Sequence, residues 1–238
     1  MKQNNSFMKG VVDGLPICFG YLSVAFAFGI FAVGKGFSIA EALFISMSNV
    51  TSAGQQAAIP IIASGGTFIE LAVAQLVINL RYALMSVSLS QKLDSNVRLF
   101  DRFIISFVNT DEVFAVASSN DGTVGRNYLY GLILTPYLGW SMGTLLGASA
   151  GNILPAAIIS ALGIAIYGMF VAIVVPQTKK NKATAFCVLT AIVLSCAFEY
   201  RPLLKTVPSG FAIIICAVVA SAIFAILAPI GEEGTANA

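Results

Sequence analysis

Apolar runs about 20 residues long recur from one end of this chain to the other, and that length of helix, at 1.5 Å per residue, crosses a hydrocarbon core of roughly 30 Å. Six such runs are expected to be full transmembrane helices: Val11 to Val33, Thr67 to Leu89, Tyr128 to Gly151, Ala156 to Val175, Ala183 to Tyr200 and Phe211 to Ile230. Short polar or Gly/Pro-containing stretches separate them. Composition points the same way, because 58% of the 238 residues are hydrophobic and 10% charged, against roughly 25% charged in a soluble domain. The expected fold is an all-α polytopic membrane protein, a single integral membrane domain over residues 1–238 with no soluble appendage. Near the start, Ala25-Phe26-Ala27 mimics a signal-peptidase site. The run continues apolar to Val33, longer than a signal h-region, so an uncleaved first helix is expected.

Two further segments do not read as ordinary spans. Ile39 to Ala63 is apolar at both ends but carries Ser48, Asn49, Thr51, Ser52, Gly54, Gln55 and Gln56 in its middle, with Pro60 following. Phe103 to Ala117 is short and contains Asn109-Thr110-Asp111-Glu112. Four consecutive polar residues sweep about 300° of a helix, so an intact helix facing lipid would have to point one of them at hydrocarbon. The backbone is expected to break there, or protein to surround it, since irregular backbone at membrane depth survives only inside protein or beside a watery cavity. Positive charge tests whether these segments cross. If all eight cross with the N-terminus inside, Lys and Arg divide six and six between the two sides. If both interrupted segments enter and leave on one side, Lys92, Arg98 and Arg102 move inside and the division becomes nine to three, with Arg81 inside a span. The positive-inside rule favours this second arrangement, with a cytoplasmic N-terminus in a cytoplasmic (inner) membrane. A theme stated once in each half also suggests an inverted-repeat transporter.

Several function classes fall away. A net charge of +2 and the lack of basic clusters interleaved with aromatics argue against nucleic acid. There is no His, which removes the commonest metal ligand and proton shuttle. Cys18, Cys187, Cys196 and Cys216 lie within apolar runs without Cys-x-x-Cys spacing and read as packing residues. No metal and no cofactor is expected.

The residues that remain carry the chemistry. Arg81 lies within about 5 Å of the middle of its span, where an unpaired charge costs at least about 2.5 kcal/mol, and the acids at comparable depth are Asp111 and Glu112. One of them is expected to pair with Arg81, as a structural ion pair or as a charge relay or gate. Neighbouring carboxylates in a low dielectric do not both ionise cheaply, which suits proton coupling. On the same span Gln75, Asn79, Tyr82 and Ser86 share a face, and Arg81 projects about 160° away from Asn79. Gly139, Gly143, Gly147 and Gly151 recur every fourth residue, a small-residue ladder that permits close approach of another helix within the chain or, less often, of a partner subunit. Helices that stop in mid-membrane present N–H groups suited to a carboxylate and carbonyls suited to an ammonium or a cation. The expected substrate contacts are therefore Thr51, Ser52, Gly54, Gln55, Gln56, Asn79, Asn109 and Thr110.

These residues also carry a resemblance. Gly10-x5-Pro16, Phe28-Gly29, Gly36-Phe37-Ser38, Ala53-Gly54-x-Gln56, Asn79-x-Arg81-x2-Leu84, Ser88-Leu89, Thr110-Asp111-Glu112-x-Phe114 and Trp140-x2-Gly143-Thr144-x2-Gly147 occur in the order found in the AzlC family of bacterial branched-chain amino acid exporters. The chain resembles that family over roughly Gly10 to Pro155. The resemblance implies export of branched-chain or similar apolar amino acids, and a separately encoded small hydrophobic AzlD-like membrane subunit as partner. It departs at Tyr82, where the family often has His, and at Ser52, where it often has an aromatic residue. A histidine role in proton movement does not carry over to this chain. Readings from other classes are a channel-like pore, a non-transporting scaffold, and a membrane enzyme using Asp111 and Glu112; the last lacks any nucleophile, metal set or phosphate-binding loop.

Overall fold

The structure is a computed structural model and describes residues 6–120, 122–151, 181–201 and 206–228, together with 155, 171, 174, 175, 178, 179 and 204. Among the described residues nine helices are formed: α1 (Phe7–Gly34), α2 (Ile39–Ser48), α3 (Ser52–Ala63), α4 (Phe68–Ser90), α5 (Leu99–Phe107), α6 (Asp111–Ser118), α7 (Arg126–Gly151), α8 (Lys182–Tyr200) and α9 (Ser209–Leu227). The first, fourth, eighth and ninth are long and apolar enough to cross a membrane. With 26 residues α7 is as long, and its glycines and hydroxyl-bearing residues make it less apolar. The expected span from Ala156 to Val175 lies, apart from residues 171, 174 and 175, outside the described residues.

The backbone breaks in both interrupted segments. Between α2 and α3 the hydroxyl of Ser48 donates back to the carbonyls of Phe44 and Ile45, at 2.7 and 3.3 Å, competing with the helical ladder. Asn49 then leaves helical geometry, with φ −133° and ψ 78°. Between α5 and α6 the chain tightens at Val108 and Asn109, whose N–H groups donate three residues back, and Thr110 is extended at ψ 171°. The two breaks share one construction. Thr51 donates its N–H to Asn49 O, 2.7 Å, and Thr110 donates to Val108 O, 2.9 Å, while each threonine carbonyl accepts the first bond of the next helix from Gln55 or Phe114. The second segment starts earlier than hydropathy suggests, at Leu99 rather than Phe103. The charged Asp101 belongs to it, because its carboxylate accepts from Arg98 N–H at 2.8 Å and from the Tyr130 hydroxyl at 2.5 Å.

The chain forms two units, one from residues 1–59 and 78–166, the other from 60–77 and 167–238. In the first, α1 and α7 lie parallel and very close. A Cβ added to Gly139 would meet the backbone of Cys18, one on Gly143 that of Leu22, and one on Gly147 that of Phe26. From the other side Gly10 and Gly14 approach Leu132, and Gly29 approaches Ala148. Gly151, the last rung of the expected ladder, has ordinary contacts of 3.5 Å or more and room for a methyl group.

This pair fixes where the broken segments begin and end. Ala42 near the start of α2 and Ile59 in α3 share one buried cluster with Phe28 and Ala32 of α1 and Ala148 of α7, so the α2–α3 segment leaves and returns beside the C-terminal ends of α1 and α7. The α5–α6 segment behaves oppositely. Lys92, just after α4, exchanges backbone bonds with the stretch before α7: Val124 N–H donates to Lys92 O at 2.8 Å, and Asp94 N–H to Val124 O at 3.0 Å. Its ammonium caps the C-terminal end of α6, donating to Ser118 O and to Asn120 O. The segment thus begins and ends beside the N-terminal ends of α1 and α7. Val50 and Val108, at the two breaks, are buried in one cluster with Tyr21, Leu89, Ile105 and Trp140.

In the second unit α8 packs on α9. Glu70, 3% exposed, accepts from Gly210 N–H at 2.8 Å, placing a carboxylate at the positive start of α9.

The close α1–α7 contact yields a stability prediction. Gly147→Val is expected to cost about 3 kcal/mol, since backbone rather than a flexible side chain blocks the added carbons. Gly151→Ala is expected to be neutral. Thermal unfolding in detergent, followed by the fluorescence of Trp140, the single tryptophan, separates the two outcomes.

Candidate site between the helix breaks

A partly open cavity of about 230 Å³ lies where the two breaks approach each other. Ser48, Asn49, Val50 and Thr51 line it from the first break, Ser106, Phe107, Asn109 and Thr110 from the second, and Asn79 and Tyr82 from α4. A site for a drug-sized ligand occupies roughly 300–1,000 Å³, so this one suits something smaller. Of the expected substrate contacts, Thr51, Asn79, Asn109 and Thr110 are brought together on its wall. Ser52, Gly54, Gln55 and Gln56 are not on it; they form the first turn of α3, immediately behind Thr51.

Two chains of polar contacts join the breaks. In the first, Arg81 Nη1 meets Asp111 Oδ2 at 2.9 Å and Arg81 Nη2 donates to the Tyr82 hydroxyl at 3.1 Å. That hydroxyl donates to Thr51 Oγ1 at 3.3 Å. The helical wheel puts Arg81 on a side of its own, but its long side chain folds over the Tyr82 ring, 4.9 Å from the centroid, and serves the cavity face. The second chain was not legible as a site in the sequence. The Tyr21 hydroxyl of α1 contacts both the Glu112 carboxylate and, at 2.6 Å, Thr110 Oγ1. A phenol has one proton, so it donates to the carboxylate and accepts from the threonine. Tyr21 packs edge-on against Trp140 with ring centroids 5.0 Å apart, and Trp140 Nε1 donates to Ser46 O at 3.1 Å. Ser46 and Thr144 share a buried hydroxyl bond of 2.6 Å, and the Tyr137 hydroxyl donates to Met47 O at 3.3 Å. Carbonyls freed near the end of α2 are thereby met by side chains of α7, as irregular backbone in a dry setting requires.

Asp111 and Glu112 therefore do different things. The first pairs with Arg81, the second with Tyr21. Both occupy the first turn of α6, where negative charge complements the helix dipole. The start of α3 has no such acid. It carries Gln55, wholly buried, with no partner for Oε1 or Nε2 among the described residues, and also the buried Ser52 Oγ and Gln56 Nε2, likewise unpartnered among them. Buried polar atoms without partners are rare in native proteins, and each costs about 1–3 kcal/mol. Such a cluster one turn behind a cavity wall marks a place where stability is given up for something else.

That cost is measurable. Gln55→Leu is expected to raise the midpoint of thermal unfolding in detergent by several degrees, at roughly 2–4 °C per kcal/mol for a chain of this size, while impairing whatever the cavity binds. A lowered midpoint would show that the amide is satisfied in the folded protein.

Comparison with known proteins places the chain in context. A family model described as AzlC protein matches residues 16–154. The chain is 29% identical over 195 residues to a protein of Escherichia coli (strain K12) named inner membrane protein YgaZ, covering 79% of each. It is 34% identical over 187 residues to an uncharacterized membrane protein of Archaeoglobus fulgidus, covering 78% of this chain and 82% of the relative. An uncharacterized membrane protein of Helicobacter pylori (strain ATCC 700392 / 26695) is 23% identical over 155 residues, 62% of this chain and 67% of the relative. No solved structure matches.

Proposed function

The chain belongs to the AzlC family of membrane proteins, and from that premise we propose that it is a secondary transporter exporting branched-chain or similar apolar amino acids across the cytoplasmic membrane. The observation that carries this reading is the polar cavity walled by two helix breaks. Transporters place substrate at such breaks because helix ends supply both signs of partial charge at membrane depth. A zwitterion suits the two breaks unequally: its carboxylate favours the acid-free start of α3, and its ammonium the neighbourhood of Asp111 and Glu112. Two segments folding back from opposite ends of the α1–α7 pair, each closing on a threonine, are what an inverted repeat working by alternating access would use.

Charge supports the orientation. Among the described residues of the first unit Lys9, Lys92, Arg98, Arg102 and Arg126 lie beside the N-terminal ends of α1 and α7, and Lys35 lies at the other end. By the positive-inside rule the N-terminal end is cytoplasmic, α2–α3 re-enters from outside and α5–α6 from the cytoplasm. A reporter fused after Arg102 is expected to read out on the cytoplasmic side; a periplasmic readout would remove the re-entrant arrangement.

A small AzlD-like membrane subunit belongs to the same reading. In this chain by itself the Arg81 and Asp111 side chains are 51% and 45% exposed, and Leu80 and Leu84 beside Arg81 on α4 are more exposed still. Hydrocarbon does not solvate an ion pair, so water or a second protein must meet it. A small partner laid along this face would do so. Proton coupling would run through Glu112, whose carboxylate accepts a hydrogen bond from the Tyr21 hydroxyl.

Efflux of preloaded leucine and valine from cells lacking other exporters tests all of this. Expression together with the small subunit is expected to accelerate efflux several-fold, and Glu112→Gln to flatten its dependence on external pH. If no branched-chain substrate leaves faster, the exporter reading fails; if Glu112→Gln keeps the wild-type pH profile, the acid is not the coupling group.

A further inference from the structure

The two hydrogen-bonded chains that join the breaks are headed by groups of opposite character. Arg81 heads the first and Glu112 the second, and each chain passes through one tyrosine hydroxyl to one threonine hydroxyl. A hydroxyl has a single proton, so the head of a chain fixes the direction of the bonds behind it. Arg81 Nη2 only donates, at 3.1 Å, so the Tyr82 proton turns to Thr51 Oγ1, at 3.3 Å, and the proton of Thr51 is not drawn into the chain. An ionised Glu112 only accepts. The Tyr21 proton goes to it, and the Thr110 proton goes to the Tyr21 oxygen across 2.6 Å, leaving Thr110 Oγ1 with its lone pairs. Both threonines, each 5% exposed, line the cavity. In this state Thr51 offers a donor and Thr110 an acceptor, as the carboxylate and the ammonium of a zwitterion require.

The heads also differ in whether they change. A guanidinium keeps its charge at any pH a cell meets, whereas a carboxylate takes up a proton. With that proton on Oε2, the oxygen that faces Tyr21, the second chain runs in reverse. Glu112 donates to the Tyr21 oxygen, the Tyr21 proton swings to Thr110 Oγ1, and the Thr110 proton is released toward the cavity. One proton is gained, at Glu112; Tyr21 and Thr110 keep their own and only rotate them about their C–O bonds. The cavity then meets a substrate with two donors, and the ammonium has lost its acceptor at the second break. Trp140, edge-on to the Tyr21 ring at 5.0 Å, holds the phenol in place for either direction. The other titratable groups that face this chain are Asp111, ion-paired with Arg81 at 2.9 Å, and Tyr82, whose proton Arg81 directs elsewhere.

We propose that Tyr21 is a positioning residue that converts the protonation of Glu112 into the direction of the Thr110 hydroxyl, so that a proton and the substrate ammonium exclude each other at the second break. This rests on the exporter reading above, which supplies the zwitterion and the coupled proton. Thr51 stays a donor throughout, because its chain is headed by Arg81. Exclusion is the relation an exchanger needs: the acid gives up its proton before an amino acid is held, and taking one up releases the amino acid.

Leucine exchange in proteoliposomes holding the full chain with its small subunit, at equal pH on both sides, reads apparent affinity free of any gradient. For the wild type it is expected to fall about tenfold from mildly alkaline to mildly acidic buffer, the weight of one charge-assisted hydrogen bond. Tyr21→Phe removes the link and Thr110→Val its end. In both the fall is expected to disappear, whatever the absolute affinity, and Thr110→Ser, which keeps a hydroxyl, is expected to restore it. Thr110→Val leaves the Tyr21–Glu112 bond in place, so a flat profile there does not come from altered titration of Glu112, and the Thr110 pair carries the test if Tyr21→Phe fails to fold. A fall that persists in the folded variants would show Glu112 acting on the ammonium by its charge directly and would overturn the relay, as would a flat profile in Thr110→Ser or in the wild type. Absence of any wild-type exchange would overturn the exporter reading and the relay with it, an outcome distinct from exchange whose pH dependence the variants do not move.

Discussion

The parallel contact between α1 and α7 is the interaction on which the rest of the first unit hangs. Without Cβ atoms at Gly139, Gly143 and Gly147 the two backbones come close enough for their side chains to act as one surface. That surface sets Tyr21 of α1 against Trp140 of α7. Tyr21 then reaches Thr110 and Glu112 at the second break, while Trp140, Tyr137 and Thr144 hold the end of α2 at the first. Widening the contact by a methyl group would move these anchors apart, so both breaks depend on a ladder that touches neither.

Each break exposes backbone groups that a continuous helix would satisfy internally, and each is closed in the same way. A threonine turns the chain, its carbonyl starts the next helix, and its hydroxyl meets a tyrosine from a long helix outside its own segment. The pairing is crossed: α1 supplies Tyr21 to the second break and α4 supplies Tyr82 to the first. The long helix that precedes each segment thus serves the other segment. In the proposed reading, alternating access would require each hairpin to loosen while the α1–α7 pair stays intact.

The polar runs were legible because residues such as Asn49, Gln55, Asn109 and Asp111 cannot face hydrocarbon, and no arrangement of an intact helix hides four in a row. The partner of Arg81 was legible for the same reason, since few opposite charges lay at its depth. Tyr21, Tyr137 and Trp140 were not. An aromatic residue in a membrane helix is unremarkable by composition, and its polar tip acquires a role only when a distant break comes within reach. The start of α5 at Leu99 was hidden because Asp101 and Arg102 look like the end of a membrane segment, and only the bond from Tyr130 reveals Asp101 as an anchored helix start. Gly151 follows the four-residue spacing of the ladder, yet α1 no longer presses on α7 at that level. Spacing identifies a face but not how far along the helix the neighbour stays close.

The two breaks are alike in backbone and unlike in charge, and the difference has a consequence for any ligand between them. At the start of α6 the dipole is already met by Asp111 and Glu112, which are in turn held by Arg81 and Tyr21. The first turn of α3 carries no acid, and Gln55 stands behind it with both amide atoms unpartnered among the described residues. A negative group placed in the cavity is therefore drawn toward α3 and repelled from α6, and a positive group the reverse. A molecule carrying both charges at a fixed separation is oriented before any side chain is recognised. Orientation by charge thus precedes any recognition of the remaining substituent.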